Sequence, residues 1–171
     1  TEEFINGADE LGVARTDDFN GARQQGAGYY QLNTKNGWRC SSATAYLKPA
    51  RRRSNLRVET DAFATQILFD GARASGVAYR QRGTANTAHA AREVLVCAGG
   101  LQSPQLLQVS GIGPAALLQQ HGIAVVRDAP GVGANLQDHL QVRVMYRCTK
   151  PITTNDDLKS WYRSLRMGLQ W

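Results

Sequence analysis

Apolar and polar positions along this chain switch between a helical and an alternating period, and the switches mark out short elements. Over residues 2–11, Phe4, Ile5, Ala8 and Leu11 recur at helical spacing and Gly12 supplies a stop. Asp17-Asp18-Phe19-Asn20-Gly21 reads as turns, and residues 28–34 as a strand with Tyr30 and Leu32 on one face. Ser41 or Ser42 can cap a helix through Leu47. Leu56, Val58 and Thr60 then alternate with Arg57 and Glu59, which predicts a strand over 55–60. Residues 65–69 and 76–81 form two more, joined at Asp70-Gly71 by a loop longer than the tight two-residue kind. Glu93-Val94-Leu95-Val96-Cys97-Ala98 predicts a buried strand that stops where side chains vanish, at Gly99-Gly100. Ser103 as N-cap and Pro104 at the first helical position predict a helix from Pro104, buried by Leu106, Leu107 and Val109 and ended by Ser110-Gly111. Gly113-Pro114 launches a second helix that Gly122 ends, and residues 123–126 and 142–146 read as further strands.

Composition fits a globular chain: 171 residues, 42% apolar and 20% charged, can build a core. No apolar run approaches the roughly 20 residues of a membrane-spanning helix, and no signal peptide is visible. Cys40, Cys97 and Cys148 are odd in number and far apart, so neither a disulfide framework nor a metal-ligand set is expected. Reduced thiols point to the cytoplasm, with Cys97 a small buried hydrophobe. The net charge of +6 raises a nucleic-acid partner, and Arg51-Arg52-Arg53 is its best support. That triplet lies between a helix-ending Tyr46-Leu47-Lys48-Pro49 and a strand, without interleaved aromatics, and reads as a solvated turn. No nucleic-acid partner is expected.

Candidate chemistry is sparse. Asp138 and His139 are neighbours on an extended segment and so point to opposite faces, with no nucleophile motif nearby. His139 therefore reads as structural, while Asn135 and Asp138 serve the backbone of the glycine-rich turn before them. His89 falls on a polar loop and His121 at a helix end, where solvation or C-capping accounts for them. The barest main chain is at Ala98 and Gly99. Small residues there admit either a ligand against the backbone or a closely packed helix.

The run Gly99-Gly100-Leu101-Gln102-Ser103-Pro104-Gln105-Leu106-Leu107-Gln108-Val109-Ser110-Gly111-Ile112-Gly113 resembles the second signature of the glucose-methanol-choline (GMC) flavin oxidoreductases. That pattern is small-small-x-x-Ser-Pro-x-apolar-apolar-x-x-Ser-Gly-apolar-Gly. Only Gly100 departs from it, standing where the family has Ala, Ser, Thr or Pro, and it keeps the site small. Pro130-Gly131-Val132-Gly133-Ala134-Asn135-Leu136-Gln137-Asp138-His139 is similar to a second family stretch, in the expected order. Residues 36–47 and 54–58 resemble the segment that joins substrate and flavin domains in choline-dehydrogenase-like members. Gly131-x-Gly133 alone lacks the third glycine and preceding strand of a dinucleotide fingerprint.

The resemblance implies an α/β fold, α+β overall: part of a Rossmann-like FAD-binding domain over 41–139, and parts of an antiparallel-sheet substrate domain over 1–40 and 140–171. It implies FAD as cofactor, with Ala98 and Gly99 against its adenosine end. The main chain of Ala64, at the turn after the 55–58 strand, would hold the adenine edge. The family's pyrophosphate loop and catalytic histidine are not found in these 171 residues, so the chain reads as an internal segment with no catalytic residue and no metal ligand of its own. The whole protein is then expected to oxidise a primary alcohol, passing hydride to flavin N5 while a C-terminal histidine takes the hydroxyl proton. The segment alone is expected to be inactive, not to retain FAD, and to self-associate through uncovered edges. Competing readings are an FAD-containing hydroxynitrile lyase of the same fold and a noncatalytic basic binding module. Ser103-Pro104 and residues 135–139 argue against an unrelated flavoprotein acting on amines or sterols.

Overall fold

The computed structural model describes residues 2–169, in two units: Thr1–Phe63 with Gln81–Thr84, and Ala64–Arg80 with Ala85–Trp171. In the first unit, α1 (Glu2–Glu10) buries Ile5. It ends as the sequence predicts: Gly12 takes φ +83, its N–H donates to the Asp9 carbonyl and that of Val13 to the Ala8 carbonyl, both at 2.9 Å. Of the strand expected over 28–34 only the last residue pairs, as β1 (Thr34–Lys35) joins β2 (Trp38–Arg39) antiparallel. Asn36 and Gly37, at φ +52 and +76, make the two-residue turn between them. Ser41, the expected cap, accepts from the Thr44 N–H at 3.3 Å. The helix after it opens as one wide π turn (Ala43–Leu47) before α2 (Lys48–Ala50). Pro49 has no N–H for the Ala45 carbonyl, and the Lys48 N–H reaches five residues back to Ala43. The strand expected over 55–60 does not form: Asn55 lies in a turn, Thr60 at a bend, and no ladder pairs the residues between.

A three-stranded sheet of order β3-β4-β5 comprises β3 (Ala62–Asp70), β4 (Arg73–Gln81) and β5 (Thr84–His89), most of it in the second unit. Both hairpins are tight, which corrects the longer loop expected after Asp70. Gly71 at φ +58 alone carries the first turn, the II′ pattern, while Arg82 and Gly83 at +50 and +85 make the second type I′. Right-handed strand twist favours these primed turns, so Asp70-Gly71 needs no extra residues.

Residues 93–97 form no strand, and Leu95 and Cys97 are exposed. The expected buried strand and buried thiol are thus not found. An apolar run is covered only between neighbouring strands and helices, which the described residues do not supply. The helix that follows, α3 (Gly99–Val109), begins five residues before Pro104, which lies inside it. The main chain enters the helix at the flexible glycines, and Ser103 is a helical residue rather than its N-cap. The C-terminal end is as predicted, with Ser110 followed by Gly111 at φ +92.

Next, β6 (Ile112–Gly113) crosses through α4 (Ala115–Gln120) to β7 (Arg127–Asp128), pairing parallel as Ile112↔Arg127 and Gly113↔Asp128. The strand expected at 123–126 is not found; the pairing residues are Arg127 and Asp128 instead. Asp128 Oδ1 accepts from the Ala115 N–H at 2.9 Å, closing the crossover. Gly122 at φ +69 ends α4, with the Ile123 N–H on the Leu118 carbonyl at 2.9 Å. Residues 142–146 are exposed and form no strand, against the expectation, because the described residues offer no neighbour for that edge. Thr153 and Asp156 form a reciprocal capping box on α5 (Thr154–Leu158), and α6 (Trp161–Leu169) closes the described chain. Buried apolar side chains among the described residues are Ile5, Ile67 and Leu118. No described helix is long and apolar enough to cross a membrane.

Candidate cofactor site

The site grows from the joint between the edge strand β3 and α3. Ser110, 3% exposed, accepts from the Ile67 N–H at 2.8 Å and donates to the Leu106 carbonyl. One hydroxyl so binds the sheet edge to the last turn of the helix. Ser110→Ala strands the Ile67 N–H and is expected to cost ~1–3 kcal/mol. Denaturant titration of the whole protein checks this, and an unchanged midpoint would contradict the bridge. At Gly111, an added Cβ would stand 2.5 Å from the Ala124 carbonyl oxygen and 2.9 Å from a Val126 methyl. The two family-like stretches are locked by Gln108, whose Nε2 donates to the Val132 carbonyl at 3.0 Å. A Cβ on Gly133 would lie 2.7 Å from that nitrogen, and one on Gly113 3.0 Å from Gln108 Cγ. Both glycines thus make room for one glutamine.

Between the stretches lies a cleft of about 550 Å³, walled on one side by Gly100, Ser103 and Pro104 and on the other by residues 131–137. Pro104 lacks the N–H that would serve the Gly100 carbonyl, so this wall carries a main-chain acceptor without its usual helical donor. Ala98 and Gly99, the residues expected against the cofactor, precede Gly100 without lining that cleft. Gly99 takes φ +87, and nothing lies within 4 Å of where a Cβ would stand on Gly99 or Gly100. Ala98, as N-cap, offers no side-chain oxygen to the first turn, and its own N–H donates to Ser103 Oγ at 3.0 Å. This unobstructed main chain fits a cofactor laid against the backbone.

Ala64 is placed differently from expectation, inside β3 rather than at a turn. Main-chain groups alternate sides along a strand, and Ile67 turns its N–H outward to Ser110. Ala64, three residues away, therefore faces β4, and the groups on the open edge beside it belong to Phe63 and Thr65. Asp138 Oδ1 accepts from the His139 N–H at 2.8 Å, a local turn contact and no side-chain dyad. His121 is the C-cap of α4. Among the described residues no group of His, Cys, Asp and Glu could hold a metal ion. Ser110 and Gln108 are the working residues that sequence reading passed over. Their partners Ile67 and Val132 lie 43 and 24 residues away, so no local signal marked them.

Residues 1–141 match the family profile described as GMC oxidoreductase. The chain belongs to the GMC oxidoreductase family. It is 48% identical over 171 residues to an oxygen-dependent choline dehydrogenase of Burkholderia vietnamiensis, covering 99% of this chain and 30% of that protein. Its likeness to the Burkholderia multivorans enzyme of that name is 47%, with the same coverage. Among solved structures, an FAD-dependent oxidoreductase from Chaetomium thermophilum matches with a TM-score of 0.67 and 34% identity over 80% of this chain and 24% of its own. Pyridoxine 4-oxidase from Mesorbium loti matches with a TM-score of 0.68 and 31% identity over 75% and 25%. This GMC chain thus spans about 30% of the length of the curated relatives it matches.

Proposed function

We propose that this GMC chain is the cofactor-adjoining part of an FAD-dependent oxidoreductase that acts on the CH–OH group of a primary alcohol, in the manner of a choline dehydrogenase. The observation that carries the reading is the 48% identity to a choline dehydrogenase across 99% of the chain. Residues 41–139 belong to the flavin domain, and residues 1–40 and 140–171 to the substrate domain. Bound FAD supplies the hydride acceptor of the reaction. The share of this chain is to receive the cofactor on the bare main chain of Ala98 and Gly99, with the β3 main chain around Ala64 as a second contact, and to hold those strands and helices in register. The catalytic base lies outside these residues. Free Cys40, Cys97 and Cys148 support a cytoplasmic protein. Exposed apolar side chains such as Leu95, Val142 and Leu140 support self-association of the chain when it stands alone.

Anaerobic addition of choline to the whole protein is expected to bleach its flavin absorbance, with dye reduction on turnover. Splitting of a hydroxynitrile without bleaching would replace this reading with that of a lyase. A protein that binds no flavin would end it.

A further inference from the structure

A helix N-terminus leaves its first N–H groups to be met by a side chain just before it, commonly Ser, Thr, Asp or Asn. At α3 the arrangement runs the other way. Ala98 brings no oxygen, and Ser103, within the helix, reaches back to accept the Ala98 N–H at 3.0 Å. The bond closes a ring over Gly99 and Gly100, two residues with more backbone freedom than any others. It holds Gly99 at φ +87 while the space beside both glycines stays clear to 4 Å. Ser103 lies along the cleft together with Gly100 and Pro104. The corner is therefore tied down from the helix side and open on the other.

We propose that Ser103 is a positioning residue for the cofactor, its hydroxyl presetting the Ala98-Gly99 main chain in the shape that receives FAD. The inference rests on the cofactor reading given above. Without the tether, Ala98, Gly99 and Gly100 sample many conformations, and a ligand that needs one of them binds more weakly by the cost of ordering the rest. Ser103 itself touches only the protein in this role and acts through Ala98.

The test is FAD binding by the whole protein, stripped of flavin and titrated back with FAD while flavin fluorescence is followed. Ser103→Ala is expected to raise the Kd for FAD roughly 2- to 10-fold, the worth of one hydrogen bond. Ser103→Thr, which keeps the hydroxyl, should bind within about twofold of the parent. Melting of the flavin-free protein should be the same for all three, since the bond sits on an exposed turn. Equal FAD affinity for Ser103→Ala and the parent would overturn the inference while leaving the cofactor reading intact. A drop in flavin-free melting temperature for Ser103→Ala that accounts for its weaker binding would also overturn it, in favour of a general stabilising role. A parent protein that takes up no FAD would remove both.

Discussion

Purified as the 171-residue polypeptide and mixed with FAD, the protein is expected to leave a desalting column colourless and to leave choline unoxidised. The main-chain contacts available at Ala98, Gly99 and the β3 edge amount to a few hydrogen bonds of about 1 kcal/mol each. Association costs an estimated 4–15 kcal/mol in lost translational and rotational freedom. The difference leaves no useful affinity. No Gly-x-Gly-x-x-Gly run occurs in the sequence to supply a pyrophosphate loop, and the Gly99 corner is open space rather than an enclosing pocket. Absorbance of the desalted protein settles the matter: stoichiometric flavin would show that these residues form a complete binding site.

Replacement of Gly111 by valine is expected to damage the fold more than any other single change in the signature-like stretch. The backbone at φ +92 disfavours any side chain by ~1–3 kcal/mol, and a β-branched one most of all. Here the new Cβ also meets the Ala124 carbonyl at 2.5 Å and Val126 at 2.9 Å, so residues 123–126 must move and β7 with them. Gly122→Ala is the matched control, since its φ is +69 but nothing lies within 4 Å of the new methyl. Limited proteolysis of the whole protein should show early cleavage within residues 111–128 for Gly111→Val. For Gly122→Ala it should show little change. Equal resistance of the two variants would mean that the approach of residues 124–126 to Gly111 is not maintained in solution.

Stops were the most legible features of this sequence. Gly12, Gly111 and Gly122 each close a helix in the left-handed conformation, because only the absence of Cβ makes that geometry cheap and the pattern before each is plainly periodic. Family membership was equally legible, since residues 99–113 and 130–139 keep their spacing whatever the chain around them does. The start of α3 was not. Ser103-Pro104 matches an N-cap and first-position pair, yet the same hydroxyl reaching back to Ala98 looks identical in sequence. Asn36-Gly37 carried a hairpin signal that went unread and Arg82-Gly83 a turn without the usual Asn or Asp, so β2 and β5 were missed and β1 misplaced. Residues 93–98 and 142–146 show a different limit. Their β-branched and apolar pattern states a preference for a sheet, but a strand is a property of two segments, and no partner lies among the described residues. Local pattern therefore failed there on the strand itself. At the site, the expectation for Ala98 and Gly99 came from their small side chains together with the family resemblance, since small residues alone also suit a packed helix. The Ser110 bridge and the Gln108 lock depend on contacts 43 and 24 residues away in sequence, which no local reading contains.

The lock between Gln108, Gly113 and Gly133 also constrains how sequences of this family can drift. Gly113 stays bare because Gln108 occupies the space of its missing methyl, at 3.0 Å. A lineage that shortens position 108 to alanine vacates that volume and can fill it with alanine at 113. Gly133, at φ +85, keeps its glycine on conformational grounds even then. Positions 108 and 113 should accordingly covary among homologues while 133 stands still, a signature of shared volume that separates steric necessity from backbone necessity at two glycines alike on paper.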